Sequence, residues 1–231
     1  MSDSNFPNRE KSNWRIELKA RLLNARRDQA AGRESAESRI TERLEKWIAS
    51  RPGIWLSFRG FSFEPRLAFA GEHVSSGGHA FAYPKIFPDQ SLSFFRWTGT
   101  RQLAEGDWKV NQFGIHEPAA ERSDAQWRRV TADFTSDESA EDSVVGALIP
   151  ALGFDRRLFR LGRGRGFYDR FLASFDERRK QVGASPIYKI GIGFSEQLVD
   201  ELPQDDHDVK LDAVLTDREL IVDYAATRFA Y

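Results

Sequence analysis

The sequence predicts an α/β fold with a mostly parallel central sheet covered by helices on both faces. Two observations carry this prediction: an N-terminal stretch with apolar residues at helical intervals, and several short apolar runs typical of buried strands. Helical segments separate some of these runs, which is the alternation of a parallel sheet. We expect a single domain over residues 1–231, with N-terminal helices at about 13–50, an α/β core at about 53–223 and a polar connection at about 119–142.

The N-terminal stretch predicts two amphipathic helices broken near Gly32. Its apolar residues recur at helical intervals, as Trp14, Leu18 and Leu22 do near the start. Pro52 then ends the second helix and the pattern changes to that of an α/β core.

The core is predicted from short apolar runs bounded by turn residues. The expected strands are residues 53–58, 79–84, 92–97, 144–150 and 187–194, with one or two more in 211–223 around a turn at Asp217. The other expected elements are a loop at 101–118, a helix at 168–175 and a short helix at 196–203. The acidic cluster at 137–142 is typical of a solvated connection.

Composition excludes several kinds of site and partner. The chain has no cysteine, so disulfides, thiolate zinc sites and a cysteine nucleophile are excluded. The net charge of -1 gives no reason to expect nucleic acid or an acidic membrane surface as a partner. No apolar stretch approaches the roughly 20 residues that span a bilayer and the start lacks a signal-peptide pattern, so we expect a cytoplasmic protein. His73 and His79 are not at zinc spacing, and we expect them in loops.

A glycine-rich loop at residues 161–169 predicts a site for the phosphates of ATP. The loop lies between a predicted strand and a predicted helix, where backbone N–H groups and the helix dipole favour an anion. Arginines interleave with its glycines and supply charge for several phosphate oxygens. These residues are Arg160, Gly162, Arg163, Gly164, Arg165 and Gly166. The alternative is a tight turn with solvent-exposed arginines.

Asp169 favours the phosphate interpretation. It lies in the first turn of the predicted helix, and a second acidic group follows at residues 205–212. Magnesium is commonly held by one or two carboxylates together with phosphate oxygens. Without magnesium, Asp169 is simply a favourable acid at a helix start. The loop matches neither the Walker A pattern nor the dinucleotide fingerprint, so a family with its own phosphate loop is needed.

These residues resemble the 5-formyltetrahydrofolate cyclo-ligase family, also called methenyltetrahydrofolate synthetase. Residues 149–172 resemble the family's P-x-L-G-F-D…R-L-G-x-G-x-G-[YF]-Y-D signature, and residues 190–217 its second block. Weaker matches lie at 11–15, 92–99 and 113–118. The resemblance implies a three-layer α/β/α fold related to phosphosugar isomerases and CoA transferases. It also implies the conversion of 5-formyltetrahydrofolate and ATP to 5,10-methenyltetrahydrofolate, ADP and phosphate with Mg²⁺.

The resemblance assigns residue roles as well. The ATP-binding residues would be Lys11, Arg15, Arg160, Gly162, Arg163, Gly164, Arg165, Gly166, Phe167 and Tyr168. Within that set the catalytic residues would be Arg163, Arg165 and Tyr168. The magnesium carboxylates would be Asp169 and Asp208. The folate-binding residues would be Leu56, Phe61, Glu64, Trp108 and Tyr168. Phe113 is a further candidate for the folate pocket, and Trp97 is either a pocket residue or, as we expect, a core residue. Lys85, at a strand end, is a candidate to face the site.

The chain departs from the family pattern at one position. The family has a glutamate in R-G-E-[IV]-D that contacts the folate, whereas this chain has Phe61 there. A carboxylate accepts hydrogen bonds from the donor edge of the pterin ring, and phenylalanine does not. Glu64 is the candidate substitute.

Three hypotheses follow for the function. The first is the cyclo-ligase, with ATP and a reduced folate as its small-molecule partners. The second is a paralogue that binds ATP and Mg²⁺ but acts on a different acceptor. The third is a protein that binds folate or nucleotide without turnover. We expect a monomer or a weak homodimer.

Overall fold

The computed structural model describes residues 6–28, 30–61, 63–67, 79–99, 103–120, 126–131 and 143–223. Its helices are α1 (Phe6–Asp28), α2 (Ala30–Ile48) and α3 (Phe167–Gln181). The first strands are β1 (Gly53–Leu56), β2 (His79–Ile86), β3 (Leu92–Trp97), β4 (Trp108–Val110), β5 (His116–Pro118) and β6 (Trp127–Val130). The remaining strands are β7 (Val144–Ile149), β8 (Gly153–Asp155), β9 (Arg160–Leu161), β10 (Tyr188–Ile192), β11 (Leu198–Val199), β12 (Ala213–Leu215) and β13 (Leu220–Val222). His73 and the acidic cluster at 137–142 lie outside the described residues.

The central sheet has eight strands in the order β13-β12-β10-β7-β1-β2-β3-β6. The strands from β12 to β2 run parallel to their neighbours, and the antiparallel strands lie at the two sides. β7 and β10 are paired through Leu148 and Ile190, and both residues are buried. The prediction of a mostly parallel sheet is therefore confirmed.

Helices cover both faces of this sheet. On one face, α2 buries Ile40 and Leu44 against Trp55, Leu148 and other sheet residues. Their spacing of four places them on the same side of the helix, and each such side chain contributes about 1.5–3 kcal/mol by leaving water.

On the other face, α3 buries Leu172 and Phe175 against Ile54 and Ile149. With α2 on one face of the sheet and α3 on the other, the fold has the three layers α/β/α.

α1 packs on a smaller sheet of order β11-β8-β9. Leu18 of α1 is buried with Leu152, Leu161 and Leu202. Gly153 leaves the room for Leu18, because a Cβ at that position would lie 2.7 Å from a Leu18 methyl group. This contact fixes α1 beside β9, the strand that leads into the glycine loop. Among the described residues, no helix is both long enough and apolar enough to cross a membrane.

The predicted short helix at 196–203 is wrong. The chain instead forms a 3-10 turn at Ser195–Gln197 and then strand β11. The side chain of Gln197 is buried, where it donates to the Ala151 carbonyl at 2.7 Å and accepts from the Phe194 N–H at 2.7 Å. The contact with Ala151, 46 residues earlier in the chain, holds the segment out of a helix, and local spacing does not reveal it.

The predicted loop at 101–118 is also wrong over its described part. It contains a hairpin of β4 and β5, closed by Asn111, whose Oδ1 accepts from the N–H groups of Phe113 and Ile115. The predicted helix break near Gly32 is misplaced, since α2 begins at Ala30 and Gly32 lies inside it. The cost of one glycine, about 1 kcal/mol, is smaller than the gain from packing α2.

Candidate functional site

The candidate site is a cleft at the carboxyl ends of the parallel strands. Phe58 follows β1, Ile86 ends β2, and Pro150 follows β7, and all three line the cleft. In open α/β sheets this edge is where ligands bind. The cleft encloses about 1070 Å³, its open mouth included.

The glycine loop forms one wall of the cleft. It follows β9 and ends at Gly166, which caps α3 in the left-handed conformation with φ 63°. Gly164 also has a positive φ of 94°, a conformation that residues with a Cβ adopt at a cost. The cap residue has no side chain to accept hydrogen bonds, so the N–H groups of the first turn of α3 remain available to an anion.

Arg160 and Asp169 form an ion pair at the base of this wall. Arg160 Nη2 donates to Asp169 Oδ1 at 2.7 Å, and the Arg160 side chain is 4% exposed. Burial lowers the pKa of Arg160, while the charges of Asp169, Tyr168 and Asp208 oppose that fall. Arginine stays protonated nonetheless. Its Nη1 is buried with no hydrogen-bond partner among the described residues, so one strong donor in the cleft is unused.

α1 supplies two further cations. Arg15 Nε donates to the carbonyl of Gly162 at 3.1 Å, and its guanidinium lies beside Gly164, where a Cβ would be 3.3 Å from Cζ. Lys11 is buried and bonds to two carboxylates, Asp205 at 2.6 Å and Asp208 at 2.5 Å. α1 therefore holds both the glycine loop and the acidic segment at 205–208.

The acidic segment offers ligands for a cation. One ligand atom each of Asp205, His207 and Asp208 lies within 4.8 Å of the others. Asp208 is also close enough to Arg160 to affect its pKa, as Asp169 is. The two carboxylates predicted to bind magnesium are thus both neighbours of one arginine. Their oxygen donors are of the type that Mg²⁺ prefers.

Arg163 links the glycine loop to the segment after β1. Its Nη2 donates to Glu64 Oε1 at 3.3 Å and to the Phe61 carbonyl at 3.3 Å. Its guanidinium lies 4.8 Å from the centroid of the Phe61 ring. Glu64 Oε2 accepts from the Phe61 N–H at 3.1 Å. Burial raises the pKa of Glu64 above its ordinary value, and the charge of Arg163 opposes this.

Tyr168 and Phe167 begin α3 and face the cleft. Burial raises the pKa of Tyr168, with a smaller contribution from the charge of Glu64 and an opposing one from Arg160. The hydroxyl therefore stays protonated and can donate a hydrogen bond. Phe167 contacts Phe113 at a centroid distance of 6.1 Å, and Arg165 lies 5.2 Å from the Phe113 ring. The wall formed by the glycine loop thus adjoins an aromatic wall.

Some of the predicted folate residues lie away from the cleft surface. Leu56 is fully buried in the core under α3. Phe61 is enclosed by Arg163 and Gly114, where a Cβ would be 3.1 Å from the Phe61 ring. Trp108 lines a neighbouring cavity with Arg59 and His116.

The further candidates are distributed differently. Trp97 is buried against Trp127, with ring centroids 5.2 Å apart. Lys85 donates to the Ala120 carbonyl and is not among the residues that line the cleft. His79 lies in β2 rather than in a loop, so that expectation is wrong. Phe113 does line the cleft, as predicted.

Two charged residues of the cleft were missed by the sequence analysis: Glu117 and Arg59. Glu117 belongs to the segment 113–118, which was noted only as a weak family match. The only sequence signal for Glu117 was its place directly before a proline, in a segment that also contains Phe113 and Ile115. Without the hairpin geometry, nothing showed that this carboxylate is buried and faces the glycine loop.

Comparison with known proteins identifies the family. The sequence profile of the 5-formyltetrahydrofolate cyclo-ligase family matches residues 7–217. The chain belongs to that family. The probable 5-formyltetrahydrofolate cyclo-ligase of Schizosaccharomyces pombe is 32% identical over 115 residues, which cover 48% of this chain and 50% of that protein. The chain therefore spans about half the length of this relative. The Escherichia coli cyclo-ligase is 26% identical over 205 residues, 87% of this chain and 96% of that one.

The cyclo-ligase family also has solved structures of this fold. The 5,10-methenyltetrahydrofolate synthetase of Aquifex aeolicus superposes with a TM-score of 0.60 at 19% identity, over 92% of each chain. This likeness supports the α/β/α architecture described above.

Proposed function

We propose that the protein is a 5-formyltetrahydrofolate cyclo-ligase, which converts 5-formyltetrahydrofolate and ATP to 5,10-methenyltetrahydrofolate, ADP and phosphate. One observation carries the proposal within the family: the glycine loop and the Arg160–Asp169 pair form one wall of a cleft whose other walls are aromatic. A phosphate site and a site for a flat ring therefore adjoin. That is the arrangement needed to phosphorylate a folate.

The chemistry suits these residues. The formyl carbon is a poor electrophile because the adjacent nitrogen donates into it, and its oxygen is a poor leaving group. Transfer of the γ-phosphoryl group breaks its bond to ADP and forms a bond to the formyl oxygen. The second nitrogen of the folate then attacks the formyl carbon and loses its proton, and the carbon–oxygen bond breaks to release phosphate. Such a reaction needs positioning and charge neutralisation rather than a protein nucleophile.

The glycine loop would bind the phosphates. Arg163 and Arg165 have side chains at the cleft surface, and their guanidinium groups pair with phosphate oxygens in fixed geometry. The unused Nη1 of Arg160 is a third donor. Tyr168, whose pKa is raised by burial, would donate a hydrogen bond at neutral pH without losing its proton.

Asp169 and Asp208 would hold Mg²⁺. Their donor set of carboxylate oxygens fits the ion, and Asp205 and His207 lie next to Asp208. When bound, the ion would neutralise charge on the transferred phosphoryl group. Lys11 balances the charge of Asp205 and Asp208 in the structure, so it would position this segment as well as approach the phosphates.

The aromatic walls would bind the folate, with Phe113 and Tyr168 among them. Glu64 lines the cleft and is proposed as a folate residue. Leu56, Phe61 and Trp108 stay predictions, and any effect they have on folate would be indirect from their present positions. A cytoplasmic location and a monomeric or weakly dimeric state belong to the same proposal.

A turnover assay tests the function. Purified protein mixed with ATP, Mg²⁺ and 5-formyltetrahydrofolate should raise near-ultraviolet absorbance as the methenyl product forms, and should release ADP in equal amount. Omission of ATP should abolish the rise. A flat trace from protein that unfolds cooperatively would refute the proposal.

The paralogue hypothesis is favoured by one observation, the phenylalanine at position 61. Isothermal titration separates it from the cyclo-ligase. Binding of ATP without binding of 5-formyltetrahydrofolate would support a different acceptor. Binding of both ligands with no release of ADP would instead support a protein without turnover.

A further inference from the structure

Glu117 is a buried carboxylate in the cleft to which the mechanism above gives no role. It lies in β5 and is 6% exposed. It lines the same cleft as the glycine loop and Tyr168. Burying a carboxylate costs free energy unless it is paired or hydrogen-bonded, so its retention there needs a reason.

One oxygen of Glu117 is held and the other is unused. Oε1 accepts from the Ile86 N–H at 2.8 Å and from Asn111 Nδ2 at 2.6 Å. Oε2 accepts no hydrogen bond from any residue that the structure describes. The first contacts fix the side chain, and the second oxygen is left for a ligand.

Glu64, the other glutamate of the cleft, differs in this respect. Both of its oxygens are engaged, Oε1 by Arg163 and Oε2 by the Phe61 N–H. Each of these oxygens can accept a second hydrogen bond, but a ligand donor would have to share it with the existing contact. Glu117 instead has one oxygen with no contact among the described residues.

The surroundings of Glu117 are suited to a flat ring. Phe58, Phe113, Ile115 and Phe167 line the cleft with it. Apolar walls around one fixed acceptor favour a planar ligand with N–H groups on its edge. The walls cover the faces of the ring and exclude water from them, and the buried N–H donors on the edge then need a hydrogen-bond acceptor.

We propose that Glu117 Oε2 accepts hydrogen bonds from the N–H edge of the substrate's aminopyrimidinone ring. The proposal rests on the proposed function. It gives the folate half of the site a carboxylate from β5 rather than from the segment after β1, where this chain has Phe61. Phe61 packs against Gly114 in the same hairpin that carries Glu117.

The charge state of Glu117 agrees with this role. Burial raises its pKa above the ordinary value, while the Ile86 and Asn111 hydrogen bonds and the charge of Lys85 oppose the rise. Donors on a ligand edge would add to these opposing effects, so ligand binding favours the ionised form.

Glu117→Gln tests the proposal. The amide oxygen can still accept from the Ile86 N–H and Asn111, but an NH₂ group replaces Oε2 and meets the ligand's donors. We expect the Kd of 5-formyltetrahydrofolate to rise about tenfold or more, since buried donors then lack an acceptor. The KM for ATP should not change. Fluorescence titration without ATP measures the Kd.

A second ligand distinguishes direct contact from a structural effect. The 2-desamino-2-methyl analogue of 5-formyltetrahydrofolate lacks the amino donor. The wild-type protein should bind it about tenfold more weakly than the parent, and Glu117→Gln should bind both ligands equally. Glu64→Gln changes the other glutamate of the cleft, which is itself proposed to contact folate. Its affinity for both ligands can fall, but it should keep the wild-type preference for the ligand with the amino donor.

Three results would overturn the assignment: equal binding of both ligands by the wild type, a preference retained in Glu117→Gln, or a preference lost only in Glu64→Gln. The first is measured without any variant, so a folding defect in Glu117→Gln does not remove the test. If the wild type turns over 5-formyltetrahydrofolate and one of these results is found, only the Glu117 assignment fails. If the wild type neither binds nor converts the folate, the proposed function fails and this proposal fails with it.

Discussion

The two halves of the cleft are built in different ways. The half proposed to bind phosphate, here called the phosphate half, comes from one continuous stretch, residues 160–169, supported by α1. The half proposed to bind folate, here called the folate half, is assembled from residues after β1, at the end of β2, in the β4–β5 hairpin and after β7. In the phosphate half, Arg160 pairs with Asp169 through Nη2 and keeps Nη1 without a partner among the described residues. In the folate half, Glu117 keeps one oxygen without a partner among the described residues.

This difference has a physical consequence. A loop between a strand and a helix brings its own N–H groups and charges together, so its chemistry is local. A pocket formed by separate strand ends has no local rule that fixes which residue supplies the acceptor. The phosphate half is therefore expected to tolerate little substitution, whereas the folate half is expected to tolerate more.

Asp169→Asn should have the largest effect, and it should fall on the phosphate half alone. The change removes the charge that pairs with Arg160 and that would hold Mg²⁺. We expect kcat to fall about 100-fold or more, because several kcal/mol of transition-state stabilisation are lost. Steady-state kinetics with varied Mg²⁺ measure this, and the Kd of the folate should stay within a factor of two or so, since its walls are untouched.

Glu177→Gln is the matched control, since Glu177 lies on the same helix and is exposed. Its kinetics should equal those of the wild type. Unchanged turnover in Asp169→Asn would contradict the metal role of Asp169, and a parallel loss of folate affinity would contradict the separation of the two halves.

Lys11→Met should mainly reduce stability. Lys11 is buried and is bonded to both Asp205 and Asp208. Methionine keeps the apolar stem but leaves two carboxylates without their cation, which costs about 3 kcal/mol in a buried site. Chemical denaturation of the ligand-free protein measures the free energy of unfolding.

Lys19→Met is the control on the same helix, because Lys19 is exposed, and its stability should match the wild type. If Lys11→Met raises the KM for ATP without loss of stability, then Lys11 serves the nucleotide and not the segment at 205–208. That outcome would assign the charge of Lys11 to ligand binding.

The fold could be predicted from the sequence wherever the spacing of apolar residues and the positions of turn residues indicate the same element. The apolar runs at 144–150 and 187–194 are found as β7 and β10, because buried parallel strands need apolar side chains on both faces. The helix prediction for residues 196–203 was wrong because Leu198 and Leu202 have helical spacing yet pack in two different hydrophobic clusters. Spacing along the chain does not report which partner each residue meets.

The site was predictable in its phosphate half for the same local reason. Arg160, Asp169 and the glycines between them follow one another in the chain, and the structure brings them together. The role of the hairpin was not predictable, because the closing turn depends on the Asn111 side chain and places Glu117 against residues 31 positions away. A contact of that separation leaves no periodic signal.

Gly164→Ala should lower the free energy of unfolding by about 1–2 kcal/mol and should also weaken the binding of ATP. The strain follows from its φ of 94°, and the new methyl group would lie 3.3 Å from Arg15 Cζ. Gly183 has a φ of 74° with no atom within 4 Å of an added Cβ. Gly183→Ala should therefore lose similar stability with an unchanged KM for ATP. Equal kinetics in the two variants would show that Arg15 does not depend on Gly164.

The smallest expected effect concerns the link between the halves, the contact of Arg163 with Glu64. Arg163 is partly exposed, so the pair should contribute at most about 1 kcal/mol in a double-mutant cycle of Arg163→Ala and Glu64→Gln. Arg163→Ala should weaken the binding of ATP more than the binding of folate, because the phosphates lose a hydrogen-bond donor.

The same pair predicts a pH dependence. Burial raises the pKa of Glu64 above its ordinary value of 4.5, and Arg163 opposes the rise, so Arg163→Ala should raise it further. A carboxyl group with a raised pKa in the folded state binds its proton more tightly than the unfolded chain does. The free energy of unfolding should then decrease as pH increases from 4.5 through the raised pKa, and more steeply in Arg163→Ala than in the wild type. Glu64→Gln should remove the difference, measured by denaturation at several pH values. If Arg163→Ala follows the wild-type curve, Glu64 does not depend on Arg163, and the two halves of the cleft are electrostatically independent.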